Sequence, residues 1–441
     1  MDTGLARINI EERGKDGVKG TSVTAVTPRA MEHCAPTMEH DSKRHTHPFV
    51  WLVLITPFGV MSGYLTVALA YLLSRAGLSV EQVGALVAIS FVPHTWKFAW
   101  APVIDTTLRR RTWYVIGAVL SAAGILASGL VPSTPQALPL LTLVVFVSNV
   151  AVTFLAMAVE SLMTYGTPDE EKGRAGGWFQ AGNLGGGGIG GGAGLWMAQA
   201  LPEPWIAAAV LALVCVACCA ALRFVAEPPL VHRSRKYLRD LVEVARDLWR
   251  VARSRGGYLA LLICFLPIGS GGASGLWSAV ADEWHASAGT VALATGVFSG
   301  IVSAVGCIVG GYVCDRIDRK TAYGLYGLML SAVAVGMAIA PRTEWMYIVF
   351  TTGYSFVSGL CYAAFSAVVL EAIGLGAAAT KYSLFASLSN MPIAYMTLAV
   401  ASAHTRGGTN AMLYVDAAAG VLGMFVFIVV AQASRPRLAS A

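Results

Sequence analysis

The stretch Gly311–Lys320 reads GYVCDRIDRK and joins two apolar blocks, at about 288–314 and 320–341. Its chemistry is that of a latch. Gly311 has no side chain, so two helix ends can approach closely there. Asp315, set near a helix N-terminus, can accept charge-assisted hydrogen bonds. Arg316 and Lys320 stand where they can bridge to a neighbouring helix. A weaker copy, APVIDTTLRRR, covers Ala101–Arg111. It keeps Asp105 and the trailing basic residues Arg109 and Arg110 but lacks the adjacent arginine, so its latch is expected to be built differently.

Working outward, the two copies are the first of four matched landmarks. Asp105 pairs with Asp315, Glu160 with Glu371, Arg174 with Lys381 and Asn183 with Asn390, at offsets of 207 to 211 residues. Four pairs in the same order imply an internal repeat.

Composition places the repeat in a membrane. Hydrophobic residues are 56% of the 441 and charged residues 13%, against about 25% charged in soluble proteins. Apolar blocks of bilayer length alternate with short polar joints. The expected spans are 48–74, 80–103, 112–132, 137–165, 175–199 and 204–226, then 257–281, 288–314, 320–341, 344–374, 378–403 and 409–432. That is an all-α integral membrane protein of twelve transmembrane helices in two six-helix bundles, 48–226 and 257–432.

Basic residues gather in alternate joints: Arg109 to Arg111, Lys172 and Arg174, and Arg316 to Lys320. The joints on the other side carry Glu81, Glu203, Asp282, Glu283 and Glu344. The positive-inside rule then predicts that both termini are cytoplasmic. The joint at 227–256 is basic, with apolar residues at helical spacing. It reads as an amphipathic linker helix on the cytoplasmic membrane face, with Arg239, Arg246 and Arg250 toward head groups or water.

Residues 1–47 are polar and read as a disordered cytoplasmic tail, and 433–441 read as a second cytoplasmic tail. No cleavable signal peptide is expected, and Met31 or Met38 is an alternative start. The tail's His33, Cys34, His40, His45 and His47 could bind a metal, but no resident metal or cofactor is expected. Cys215, Cys218 and Cys219 sit in an apolar run without His or carboxylate and read as packing residues.

The loop Gly311–Lys320 resembles the signature loop of the major facilitator superfamily, with Asp318 where a second glycine is usual. Parallel six-span repeats are the symmetry of that fold. PHTWKFAWAPVID (Pro93–Asp105) and AVESLMTYGTPDEEKGRA (Ala158–Ala175) resemble, more narrowly, the AmpG-like permeases and related acetyl-CoA transporters. In that group an acid in the fourth span is commonly Asp where Glu160 stands here. The resemblance implies a transporter, with muropeptides, acetyl-CoA or siderophores as cargo classes.

Lys97 lies inside an apolar block, where an isolated lysine costs about 2.5–3.5 kcal/mol on insertion scales, so it should face a partner or water. It can bind an anionic cargo group or pair at the latch, or snorkel to the nearby interface. His94, one turn earlier, can relay protons. Glu160 and Glu371 are membrane acids able to carry protons, or structural partners of Arg174 or Lys381. Asn183 and Asn390 can bond cargo or neighbouring helices. Tyr64, Tyr71, Trp277, Tyr354 and Tyr395 are candidate cavity aromatics.

The glycine run Gly182–Gly194 contains G-x-G-x-x-G but follows no strand, so it reads as close helix packing and not as a nucleotide loop. Nothing calls for nucleic acid. No HExxH motif or nucleophile triad is present, so an enzyme is not expected. The leading reading is a monomeric, proton-coupled importer of a bulky organic solute in a bacterial inner membrane. Efflux on the same fold is the alternative, and a non-transporting sensor the remote one.

Overall fold

The computed structural model describes residues 46–228, 237–375 and 377–433, and every regular element among them is helical. Residues 1–45 with His33, Cys34, His40, His45 and the alternative starts lie outside the described residues, as do 229–236 of the linker and 434–441 of the second tail. Of the tail histidines His47 is described, and its Nδ1 accepts from the Phe49 amide at 3.2 Å. The elements are α1 (Phe49–Arg75), α2 (Val80–Trp96), α3 (Ala101–Thr106), α4 (Arg110–Leu130), α5 (Leu138–Gly166), α6 (Lys172–Gly188), α7 (Gly194–Ala200) and α8 (Pro204–Ala217). The helix α9 (Tyr237–Arg253) follows. After it come α10 (Arg255–Phe265), α11 (Trp277–Val280), α12 (Ala288–Thr295), α13 (Val297–Cys314), α14 (Arg319–Ile339), α15 (Glu344–Ile373) and α16 (Ala378–Ala433).

Local chemistry sets many of the starts. Ser79 and Gln82 form a reciprocal capping box at α2. Ser254, Asp318 and Thr343 cap α10, α14 and α15 by accepting from the backbone amide three residues on. Each satisfies an amide that the helix itself leaves orphaned.

Among the described residues, eight elements are long and apolar enough to cross a membrane. This differs from the twelve separate helices expected, for identifiable reasons. The second expected span tightens to a 3-10 turn at Lys97–Ala99, after Pro93 removes a backbone donor. The fifth passes through a π stretch at Ile189–Ala193, and the seventh is broken after Phe265. The last two form one run, α16, whose backbone leaves helical geometry at Gly407 and Gly408. Gly408 has φ +70°, a left-handed value that a side chain resists. Both ends of α16 return to one face: Lys381 meets Asp247 of α9 at 3.1 Å, and Arg255 donates to the Ala431 carbonyl at 3.3 Å.

The glycines of α6 let it pack at the centre. A methyl group at Gly186 would lie 2.6 Å from the Thr56 carbonyl of α1, and one at Gly177 would lie 2.5 Å from the Cys307 carbonyl of α13. The α6 backbone therefore touches helices from both sides of α9 along the chain. α5 and α3 make the corresponding contact with α16.

Candidate functional site

Two aspartates close the basic face, and the structure builds them alike. Asp315 follows α13 and accepts from the amides of Gly173 (2.7 Å) and Arg174 (3.1 Å) and from Arg174 Nε (2.8 Å), at the start of α6. Asp105, at the end of α3, accepts from the amides of Ala379 (3.2 Å) and Thr380 (2.9 Å) and from Thr380 Oγ1 (2.8 Å), at the start of α16. Each carboxylate thus sits on the positive end of a helix from the other side of the chain. Gly311 belongs here: a methyl on it would lie 2.6 Å from the Gly173 carbonyl.

The basic residues around these aspartates divide. Arg174 reaches both Asp315 and Glu171. Lys320 and Arg319 pair with Glu371 at 2.6 and 3.1 Å. Arg110 is buried, donates to Ser161 Oγ at 3.0 Å and stacks over Tyr165. Arg109 and Arg316 are exposed; Arg316 returns to the Tyr312 carbonyl in the last turn of α13, and among the described residues it makes no bridge to a neighbouring helix. Lys381, 1% exposed, donates to the Leu375 carbonyl and meets Asp247. Glu371 therefore partners α14 and not Lys381.

Behind this closed face lies a cavity of about 560 Å³ between the two sets of helices. His94, Lys97, Glu160, Asn183 and Asn390 all line it. Lys97 Nζ donates to Glu160 Oε1 at 2.6 Å; the two residues are 5% and 2% exposed. Lys97 thus turns inward and does not snorkel, and Glu160 takes neither Arg174 nor Lys381 as its partner. Ser383 Oγ of α16 donates to Glu160 Oε2 at 3.1 Å, tying the pair to the other side of the cavity. His94 Nε2 lies 3.0 Å from Asn149 Oδ1, and its ring packs edge-on against Phe58.

A second polar chain crosses the same gap. Asn183 donates to Gln180 Oε1 at 3.0 Å, Gln180 to Ser366 Oγ at 2.7 Å, and Tyr382 Oη to Ser366 Oγ at 3.0 Å. Gln180, Ser366, Tyr382 and Ser383 are site residues that the sequence reading missed. Tyr382 and Ser383 directly follow the landmark Lys381, and Gln180 lies three residues before Asn183, so the repeat pointed to their neighbourhood. The expected aromatics are elsewhere. Tyr64 and Tyr354 are buried within the helix packing, Trp277 packs on Tyr354, and Tyr71 and Tyr395 are exposed. Phe58, Phe91, Phe179, Tyr362 and Phe365 line the cavity instead. Glu371 stands at the basic face, away from it.

Solved structures similar to this chain include transporters. The structure of FucP, a major facilitator superfamily transporter, in the outward conformation is 16% identical, with TM-score 0.66, covering 89% of this chain and 100% of that one. The human organic anion transporter MFSD10 is 17% identical, with TM-score 0.64 and coverage of 88% and 100%. A bacterial homologue of the iron transporter ferroportin, in an outward-facing state, is 15% identical, with TM-score 0.61 and coverage of 88% and 99%. At such identities the likeness is one of fold. No curated protein matches the chain in sequence. The profile of the Major Facilitator Superfamily matches residues 50–394. The chain therefore belongs to the major facilitator superfamily of membrane transporters, and its helices form a multi-pass membrane protein.

Proposed function

We propose that this transporter is a proton-coupled importer of a bulky anionic or amphiphilic organic solute, working by alternating access. The observation that carries the reading is the buried Lys97–Glu160 pair on the cavity wall, bonded across the gap by Ser383. We read this buried carboxylate–lysine pair as a proton switch. When Glu160 takes a proton, the pair loses its charge attraction, and Lys97 becomes an unpaired cation facing the cavity. A cargo carboxylate or phosphate then satisfies it. When the proton leaves, Glu160 reclaims Lys97 and the cargo is released.

The two helix sets are read as six-span bundles, 48–226 and 257–432, twelve spans in all. They would rock about the cavity with both termini in the cytoplasm of a bacterial inner membrane, the chain acting as a monomer. Asp105 and Asp315 close the face that the basic joints assign to the cytoplasm, and on that assignment we read the cavity as one that serves the outside. A volume of about 560 Å³ is ample for a drug-sized solute. The two stretches that resemble AmpG-like permeases supply Lys97 and Glu160, which favours a muropeptide, a CoA ester or a siderophore as cargo.

The test is uptake into proteoliposomes under an inward proton gradient, offering one solute of each class. One of them should accumulate, and a protonophore or Lys97→Ala should abolish the accumulation. Uptake that survives both treatments rejects the mechanism, and accumulation that needs the opposite gradient makes the protein an exporter.

A further inference from the structure

The segment after α10 is an irregular stretch inside the helix packing. The chain leaves helical geometry at Leu266, passes through Gly269 (φ +63°) and Gly271 (φ +69°), and resumes as a 3-10 turn, Gly272–Leu276, before α11. Backbone polar groups freed at such a break must find protein partners, since lipid offers none. Side chains from three other helices supply them. Tyr395 donates to the Phe265 carbonyl at 2.8 Å, Tyr323 to Ile268 at 2.6 Å and Tyr347 to Trp277 at 3.1 Å. These three phenols stay neutral at ordinary pH.

The fourth support differs in kind. Asp416, on the second arm of α16, is 7% exposed. It accepts from Tyr354 Oη at 2.7 Å and faces the backbone amide of Ala273, in the 3-10 turn. Tyr354 in turn packs edge-on against Trp277, ring centroids 5.1 Å apart. Tyr354 of α15 is the titratable group facing Asp416. The broken segment presents an amide, and α14 presents Ser331 to the next turn, at Gly420. Among the described residues no lysine, arginine or histidine pairs with Asp416. A membrane-buried carboxylate without a cation is costly to keep unless it has a task.

We propose that Asp416 is a second proton-binding group of this transporter, a clasp that holds the broken segment when charged and releases it when protonated. The inference rests on the proton-coupled reading but uses a site separate from the Lys97–Glu160 pair. The step is proton binding alone. The charged carboxylate accepts from Tyr354 and faces the amide of Ala273. The neutral acid accepts more weakly, because bonds to an ionised acceptor are roughly twice as strong. The far end of the segment lies away from the basic latch, where Glu283 bonds Thr409 and lies 3.8 Å from His404, beside the Gly407–Gly408 reversal. The near end of the segment, at Leu266 and residues 268–270, lines a small pocket whose walls Tyr362, Phe365, Ser389 and Ile393 also line the cavity, so release of the segment is felt at the cavity wall.

Hydrogen–deuterium exchange of residues 266–284 in the purified full chain tests this, after correction for the intrinsic pH dependence of amide exchange. In the wild type, acidification from about pH 8 to about pH 6, a range in which an unperturbed carboxylate does not titrate, should raise exchange several-fold, and His404→Gln, which removes the histidine near the segment, should leave that rise in place. Asp416→Asn, which imitates the neutral acid, should exchange fast at every pH. Tyr354→Phe removes a donor to the charged form and should move the transition to higher pH. Lys97→Ala should leave the response in place, so a failed uptake mechanism and a failed clasp give different results. A wild type without the response, or Asp416→Asn with the wild-type response, overturns the proposal. If Asp416→Asn does not fold, an unshifted transition in Tyr354→Phe overturns it.

Discussion

Lys97 and Glu160 are each tolerable in the membrane only because the other is present. Removing one partner of a buried pair leaves an uncompensated charge and costs about 3–5 kcal/mol, whereas replacing both with apolar residues of similar size is often neutral. Lys97→Ala alone should therefore lower the thermal unfolding midpoint in detergent. The double variant Lys97→Met with Glu160→Leu should recover most of that stability and still fail to transport. If the double variant is as unstable as the single one, the pair is not the unit that matters. Ser383 adds a further distinction: it couples Glu160 to the opposite helices, so Ser383→Ala should weaken transport more than stability.

At the scale of elements, α6 is organised by what its glycines touch. A methyl at Gly59 of α1 would lie 2.0 Å from the Asn183 carbonyl, a backbone atom that cannot swing aside. One at Gly187, a turn further along α6, would meet only the Gly59 carbonyl at 4.0 Å. Gly59→Ala should thus separate α1 from α6 and destabilise by about 1–3 kcal/mol, the usual cost of overpacking. Gly187→Ala should be neutral or stabilising by about 0.5–1 kcal/mol, from the better helix propensity of alanine. Thermal unfolding of the two variants side by side checks both signs. Equal effects would show that propensity alone governs this helix.

For the whole molecule, the state in hand is defined by Asp105 and Asp315 on the helix ends opposite them. A hydrogen bond to a charged group contributes about 1.5–3 kcal/mol. Removing one charge by Asp105→Asn or Asp315→Asn should lose a good part of this and shift the closed-to-open ratio of the basic face roughly tenfold. The double variant should shift it further, since the two latches are built on different helices. Spin labels at the exposed positions Leu108 and Leu375 report the separation of the two sides there. A distance distribution unchanged in the double variant would mean that packing of α6 against α13, and not the aspartates, holds the face shut.

Much was legible without coordinates because it follows from local chemistry. Apolar blocks of bilayer length, basic joints and a repeat at a near-constant offset were enough for an all-helical membrane transporter fold and for Lys97, Glu160, Asp105 and Asp315 as the residues to watch. The sequence alone did not determine partners. Lys97 and Glu160 are 63 positions apart and Asp105 and Thr380 are 275 apart, and no periodicity reports which helix lies opposite which. For that reason Arg316 and Glu371 were assigned bridges they do not make, and Gln180, Ser366 and Ser383 were passed over, as ordinary polar residues in helices. Asp416 was missed as a membrane acid for the same reason, since its interest comes from the broken segment beside it. The two copies of the latch look unequal in sequence because only one keeps the adjacent arginine. In three dimensions they are alike, because what each aspartate binds is a helix N-terminus, and backbone amides leave no signature in the side chains.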